Sequence, residues 1–234
     1  MITYLTDLGL SNNVSHENVQ EFLSPKGILY VVMNRPEVHN AFNSEQIVLL
    51  TQALENAESN PEVKVVVLCG EGENFCAGGD INYMQNMGQN SFEENKEDAL
   101  QLAHLMHTLN EFPKPTIARV NGAAYGGGVG LVCCCDMAFG TEDTTICLSE
   151  VKIGMVPATI APYVMNTIGL RNAHRLMLTA EVMQAQEAIR YQFLNDIFPA
   201  IEFNEKVDAI ATKITTNAPN ALEITKSLLL NLAH

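Results

Sequence analysis

Residues 119–136 read RVNGAAYGGGVGLVCCCD, and the fold is decided in this stretch. A strand-like run, Pro115 to Val120, opens on a proline and carries Ile117 and Val120. Three consecutive glycines follow, Gly126, Gly127 and Gly128, and then an apolar block, Val129 to Cys135, interrupted only by Gly130. The order is strand, glycine turn, apolar helix. Glycine lets the backbone come close to a ligand and adopt positive φ. A helix that begins at such a turn presents unpaired N–H groups and the positive end of its dipole. Together these can hold negative charge developing on an oxygen. Alone, the same run reads first as a tight turn that packs a buried helix against a strand, because a single glycine motif discriminates weakly.

A second glycine turn changes that balance. Residues 74–80, NFCAGGD, follow another apolar run, Val63 to Cys69. The segments NRPEVHNAFN (34–43), VVVLCGEGENFCAGGDI (65–81), PTIARVNGAAYGGGVGL (115–131), CDMAFGTEDTTICLSEVKIGMVP (135–157) and LTAEVMQAQEA (178–188) stand in this order. In them the chain resembles the crotonase superfamily, the enoyl-CoA hydratase/isomerase family, over about residues 24–200. GGGVGL followed by CLSEVKIGMVPATIAPYV is most similar to the bacterial methylglutaconyl-CoA hydratase and carboxygeranoyl-CoA hydratase branch.

Composition bounds the remaining readings. At 234 residues and 47% hydrophobic content the chain can bury one α/β core and is not a disordered composition. No apolar run approaches the roughly 18 residues a membrane helix needs. The first residues, MITYLTDLGLSNNVSHEN, carry neither a basic n-region nor an apolar h-region of a secretory signal, and no Arg. A cytoplasmic, membrane-free protein is expected. The formal net charge of −14 and the lack of a Lys/Arg cluster argue against nucleic acid. The six cysteines, three of them contiguous at Cys133, Cys134 and Cys135, show no C-x-x-C pair. They read as small buried hydrophobes in a reducing compartment, not as a metal set.

Periodicity and punctuation predict a buried strand over Ile28–Asn34 and a helix over Ser44–Glu58 with Ser44 as its cap. Shorter helices are predicted over Ile81–Met87 and Ala99–Phe112, with the polar run Gly88–Asp98 as a mobile surface segment. Asp136–Phe139 and Thr145–Leu148 read as short strands. Helices follow over Pro157–Ile168, Arg171–Leu178, Gln184–Arg190, Glu202–Thr216 and Ala221–Leu232. Strand–helix alternation predicts α/β. Residues 1–23 carry no family pattern, and Met1–Leu10 reads as a helix or an extension.

The resemblance implies a crotonase (ClpP/crotonase-like) spiral of ββα turns over residues 24–200. It also implies a helical C-terminal segment, 201–234, shorter than in relatives, that makes homotrimer or dimer-of-trimers contacts. The implied substrate is an acyl-CoA thioester, with no separate cofactor and no metal. The family's oxyanion hole falls on the backbone N–H groups of Gly79 and Gly127. Ala77, Gly78, Asp80 and Ile81 would border pantetheine and thioester, as would Gly126 and Gly128. His39, Asn40 and Ala41 would lie at the adenine end. Asp80 also reads as a cap for the following helix, and Asp136 as a residue that orders a loop or pairs locally. Tyr125 and Tyr163 read as pocket borders or core packing. Hydratases of this family carry two glutamates. The second matches Glu150, whose place after an apolar strand suits acid–base work. The first would fall at Gly130 and is missing. The expectation is therefore a hydratase acting on a 2,3-enoyl-CoA, branched or carboxylated like 3-methylglutaconyl-CoA, through Glu150, Gly79 and Gly127. The alternatives are a Δ3-Δ2-enoyl-CoA isomerase working with that single glutamate, or a non-catalytic CoA-binding subunit.

Overall fold

Two runs that are buried at every position, Ile28–Met33 and Val65–Gly70, lie side by side in parallel, with Ile28 opposite Val65 and Met33 opposite Gly70. Side chains alternate across a strand, so each run feeds two cores. Leu29, Val31, Met33, Val66 and Leu68 join one, while Ile28, Tyr30, Val32, Val65, Val67 and Cys69 join the other. A sheet covered on both faces needs apolar residues at consecutive positions, and that is why these strands show no polar alternation.

The computed structural model describes residues 1–14 and 16–232, with the backbone alone for Asn86 and Met87. The chain begins with α1 (Ile2–Asp7), β1 (Val19–Leu23), β2 (Ile28–Met33), α2 (Ser44–Ser59) and β3 (Val65–Gly70). Next come α3 (Ile81–Met87), α4 (Phe92–Asn110), β4 (Thr116–Val120), β5 (Ala123–Tyr125) and α5 (Gly127–Cys134). Then follow β6 (Met137–Thr141), β7 (Thr145–Cys147), a 3-10 turn at Glu150–Ile153, α6 (Ala161–Ile168) and α7 (Leu170–Thr179). The chain continues with β8 (Met183–Gln184), α8 (Ala185–Arg190), β9 (Asp196–Phe198), α9 (Phe203–Thr215) and α10 (Pro219–Leu232). A six-stranded sheet runs β1-β2-β3-β4-β6-β9, antiparallel only at β1–β2, and a three-stranded sheet runs β5-β7-β8. The larger core gathers α2, α4 and α5, and the smaller one holds Leu5 of α1 with Phe203, Val207 and Ala211 of α9.

Three expectations change. The run Gly88–Asp98 lies at the surface as expected but is largely helical: α4 begins at Phe92, opened by a capping box in which Ser91 and Glu94 bond reciprocally. The cap of α2 is Asn43, whose side chain accepts from the Gln46 N–H at 3.0 Å, and Ser44 is the first helical residue. Residues 1–23, without a sequence expectation beyond a helix or extension, supply α1 and the edge strand β1.

The C-terminal helices are anchored. Asp136 reaches far beyond its own loop: its Oδ2 accepts from the Thr116 N–H at 2.7 Å, the Thr116 hydroxyl at 3.0 Å and the Lys226 ammonium at 2.9 Å. Lys226 is the one residue of α10 that is buried, at 8% exposure. Residues 233 and 234 of the expected segment 201–234 lie outside the described residues. Replacing Lys226 with Ala leaves the Asp136 carboxylate short of its cation and should cost about 1–3 kcal/mol. Urea unfolding measures this, and Asp136→Asn added to Lys226→Ala should recover part of the loss.

Candidate active site

Two isolated parallel bridges, Phe42 with Gly79 and Cys76 with Ala124, set the centre of the molecule. Phe42 donates to the Gly78 carbonyl at 2.8 Å, and Asp80 donates to the Phe42 carbonyl at 3.0 Å. On the other side Cys76 donates to Ala123 at 3.1 Å, and Tyr125 donates to Cys76 at 2.9 Å. Residues 76–80 are thus clamped between residue 42 and β5. The clamp brings the glycine turn after β3 beside the one that opens α5. Gly78, at φ +92 with Tyr125 O 2.9 Å from where a Cβ would stand, accepts no other residue.

Among the described residues, neither the Gly79 N–H nor the Gly127 N–H donates to a backbone group. Gly127 is the first residue of α5, where helix N–H groups have no intrahelical partner. A side chain at Gly127 would run into the Phe42 ring, and one at Gly79 would stand 3.2 Å from the Met84 sulfur. Gly128 does different work, letting α5 close on Cys76, whose Cβ would be 3.0 Å from an added carbon.

Glu150 arrives through the smaller sheet. Tyr125 of β5 pairs with Cys147 of β7, and the Gly126 N–H donates to the Cys147 carbonyl at 2.9 Å. Three residues on, Glu150 opens the 3-10 turn. Its Oε1 would be 3.4 Å from a Cβ at Gly126, and its Oε2 is buried with no partner. Burial pushes its carboxyl above the ordinary range. Glu150, Ala77, Gly78, Gly79, Gly126 and Gly127 all line one cavity of about 220 Å³. The rest of its wall is largely apolar, with Phe42, Ile47, Met84, Leu102, Val156 and Ile160.

The missing first glutamate has a structural counterpart. Gly130 is buried, and a Cβ there would run into Ile160 and lie 3.1 Å from the Met106 methyl. The volume a side chain at 130 would take is filled by Ile160, itself part of the cavity wall. A second carboxylate does line the cavity, but from α4: Asp98, with Tyr83 of α3 also in the wall. Sequence reading missed both residues. Asp98 lay in a charged run that reads as a solvated face.

Other expected site residues also make scaffold contacts. Asn40 is fully buried. Its amide donates to the carbonyls of Glu71 (2.8 Å) and Asn74 (2.7 Å), while its side-chain oxygen takes the Arg35 N–H (2.9 Å). His39 is exposed, with Nδ1 2.9 Å from the Asn74 amide, and the Ala41 carbonyl accepts from Arg35 at 2.6 Å. Asp80 caps α3 through the N–H groups of Asn82 and Tyr83 and takes the Arg35 guanidinium at 2.9 Å. Burial alone would raise its carboxyl, and these donors more than offset that, holding it below the usual range. The Ile81 side chain is 69% exposed and outside the cavity wall. Tyr125 and Tyr163 are not among the described lining residues either. Burial pushes the Cys76 thiol beside the glycine turn up to about 12, away from nucleophilic use.

Residues 24–232 match the model of the enoyl-CoA hydratase/isomerase family. A provisionally named enoyl-CoA hydratase of Thermus thermophilus is 37% identical over 205 residues, 88% of this chain and 81% of that one. Enoyl-CoA hydratase AKT6-1 of Alternaria alternata is 36% identical over 172 residues, and the match spans 74% of this chain and 56% of the fungal one. The crystal structure of an enoyl-CoA hydratase from Shewanella pealeana superimposes with a TM-score of 0.89 at 39% identity, covering 92% of this chain and 80% of the other. The two clamped glycine turns and the crotonase fold around them thus define an acyl-CoA class of protein. This chain belongs to the enoyl-CoA hydratase/isomerase family.

Introducing the family's first glutamate should fail by itself. Gly130→Glu forces a carboxylate into the space of Ile160. Overpacking costs about 1–3 kcal/mol, and the unpaired buried charge adds to it. Thermal unfolding of Gly130→Glu, alone and with Ile160→Ala to make room, checks this: the double variant should regain part of the stability.

Proposed function

We propose that this protein hydrates a 2,3-enoyl-CoA. The supporting observation is the arrangement in one cavity of two unengaged glycine N–H groups and a buried carboxylate oxygen without a partner. The N–H groups of Gly79 and Gly127 hold the thioester oxygen as it takes on enolate charge. Such donors are worth about 10²–10³ in rate each. Glu150, kept protonated more readily by its burial, delivers a proton to Cα. Coenzyme A is part of the substrate, and no separate cofactor is needed for this step.

A branched acyl group suits the wall, where Ile47, Leu102 and Ile160 receive a methyl substituent. A carboxylated one, as in 3-methylglutaconyl-CoA, would find the Ser149 and Thr159 hydroxyls, but the described wall holds no Lys, Arg or His. Its charge would be met by water or by a neighbouring subunit. The second reading is isomerisation. It is favoured by the filled position at Gly130, since one carboxylate can shuttle a proton between C2 and C4.

Glu150→Gln removes the proton donor and keeps its shape. Deuterium exchange at the substrate Cα should fall by about 10²–10⁴, and undiminished exchange would sink the assignment. Oxygen-18 from water appearing in the product supports hydration. A shifted double bond without the label supports isomerisation. The pH profile carries a sign. Hydration uses the acid form of Glu150, whose pKa is raised. The kcat/KM should therefore decline as pH rises through that raised value, above where an ordinary carboxyl would act, and Glu150→Gln should lack this limb.

We also assign a trimer or a dimer of trimers. Large apolar side chains stand exposed at Val156, Leu178 and Ile201, and at Leu228, Leu229 and Leu232 of α10. Exposed apolar side chains of this kind suit burial against further subunits. Light scattering at micromolar concentration should give at least three times the chain mass, and a monomer would refute the assignment.

A further inference from the structure

We propose that Asp98 is the second catalytic carboxylate of this site, taking the proton from the water that attacks C3. The inference rests on the hydratase reading and supplies what that reading lacks, a base for the nucleophile.

The cavity is lined by two carboxylates, and they come from different elements. Glu150 sits beside the glycine turn on the 3-10 segment after β7. Asp98 projects from α4, the helix that also gives Leu102 to the wall. Hydration needs two proton positions, one to place a proton on C2 and one to remove a proton from water at C3. A side chain at Gly130 cannot supply the second, because Ile160 fills its space. Among the described lining residues, Asp98 is the only other carboxylate.

Tyr83 adds an independent observation. Its buried hydroxyl lies beside the Asp98 carboxylate and Ser44 without a well-formed hydrogen bond to either. Burial, and then the adjacent Asp98 carboxylate, keep the phenol protonated. A buried hydroxyl whose bond to its acceptor is poorly formed costs free energy, and a water that reaches both groups from the cavity recovers it. A water molecule that accepts from the Tyr83 O–H and donates to Asp98 would satisfy both. Held in this way, its oxygen keeps a lone pair for C3. Tyr83 is then a positioning residue and Asp98 the base.

The step balances without any co-reactant. As the water oxygen bonds to C3, its proton passes to the Asp98 carboxylate. The C2–C3 π electrons move towards the thioester oxygen held by Gly79 and Gly127, and C2 then takes the proton of Glu150. Asp98 afterwards loses its proton to solvent and Glu150 regains one, so that one molecule of water has been added.

The test separates the two proton sites. Exchange of the Cα proton of a saturated acyl-CoA uses only Glu150 and the two N–H groups. Hydration of the enoyl-CoA also uses Asp98. Asp98→Asn should lower oxygen-18 incorporation by about 10²–10⁴, while Cα deuterium exchange persists. Glu150→Gln should lose both. Tyr83→Phe should lower kcat for hydration more than it raises KM, again with exchange retained. If Asp98→Asn hydrates at the wild-type rate, or loses exchange together with hydration, the assignment is overturned. A wild-type enzyme that exchanges Cα but incorporates no label with any enoyl-CoA would instead overturn the hydratase reading on which it rests.

Discussion

The site depends on one short piece of backbone, residues 76–80, paired on both sides. Phe42 bonds to it from the loop before α2, and Ala123 and Tyr125 bond to it from β5. Neither bridge belongs to a long ladder, so each would be weak alone. The neighbouring side chains make them rigid. Asn40 ties the carbonyls of Glu71 and Asn74, Asn74 takes the Ala123 N–H at 3.0 Å, and Asp80 locks Arg35 to the start of α3. Every buried polar group in this set has its partner, which is the condition for a polar network to add rigidity and not a penalty. Two N–H groups can then be left unengaged without the turns collapsing onto them.

The same economy explains why Glu150 is costly where it stands. A carboxylate with a buried oxygen and no partner is held at the expense of stability. Its compensation lies elsewhere, in the double-sided sheet and in the Asp136 anchor that fastens α10 to the starts of β4 and β6. Asp136 and Glu150 make an instructive pair. The first collects three donors and serves the scaffold. The second has one buried oxygen, Oε2, left without a partner, and it faces the cavity.

Much of this was legible in the sequence, and the reasons differ by element. β2 and β3 announce themselves because strands buried on both faces must be apolar throughout. The partnership of NFCAGGD with YGGGVG is visible because a glycine turn after a strand is rare enough that two in order constrain the fold. Short strands were only partly legible: β6 and β7 were expected, but β5 and β9 have three residues each, and β1 shows two buried positions out of five. About the first two turns of α4 were misread because FEENKED is mostly charged and shows no apolar spacing, although the capping box Ser91–Glu94 was present to be seen. Of His39, Asn40 and Asp80, expected at the substrate from the family resemblance, Asn40 and Asp80 are also buried and hydrogen-bonded into the clamp. A spacing pattern cannot tell a residue that touches substrate from one that holds the loop that does.

The three glycines 126–128 and the fourth at 130 show the same limit within one motif. Gly126 turns the chain at φ +51, Gly127 stays clear of the Phe42 ring, and Gly128 lets α5 approach Cys76. Gly130 has no part in the turn: it admits Ile160. Identical letters thus answer to a dihedral angle, a ring, a backbone contact and an incoming side chain. The last of these sets the chemistry. With Ile160 in that volume, the wall beside α5 is apolar, and the carboxylates of the cavity come from the Glu150 turn on one element and from Asp98 on α4. On the hydratase reading proposed above, an enoyl thioester held by its carbonyl between the glycine N–H groups would present its atoms to carboxylates on separate elements, so that one could act as acid while the other acts as base.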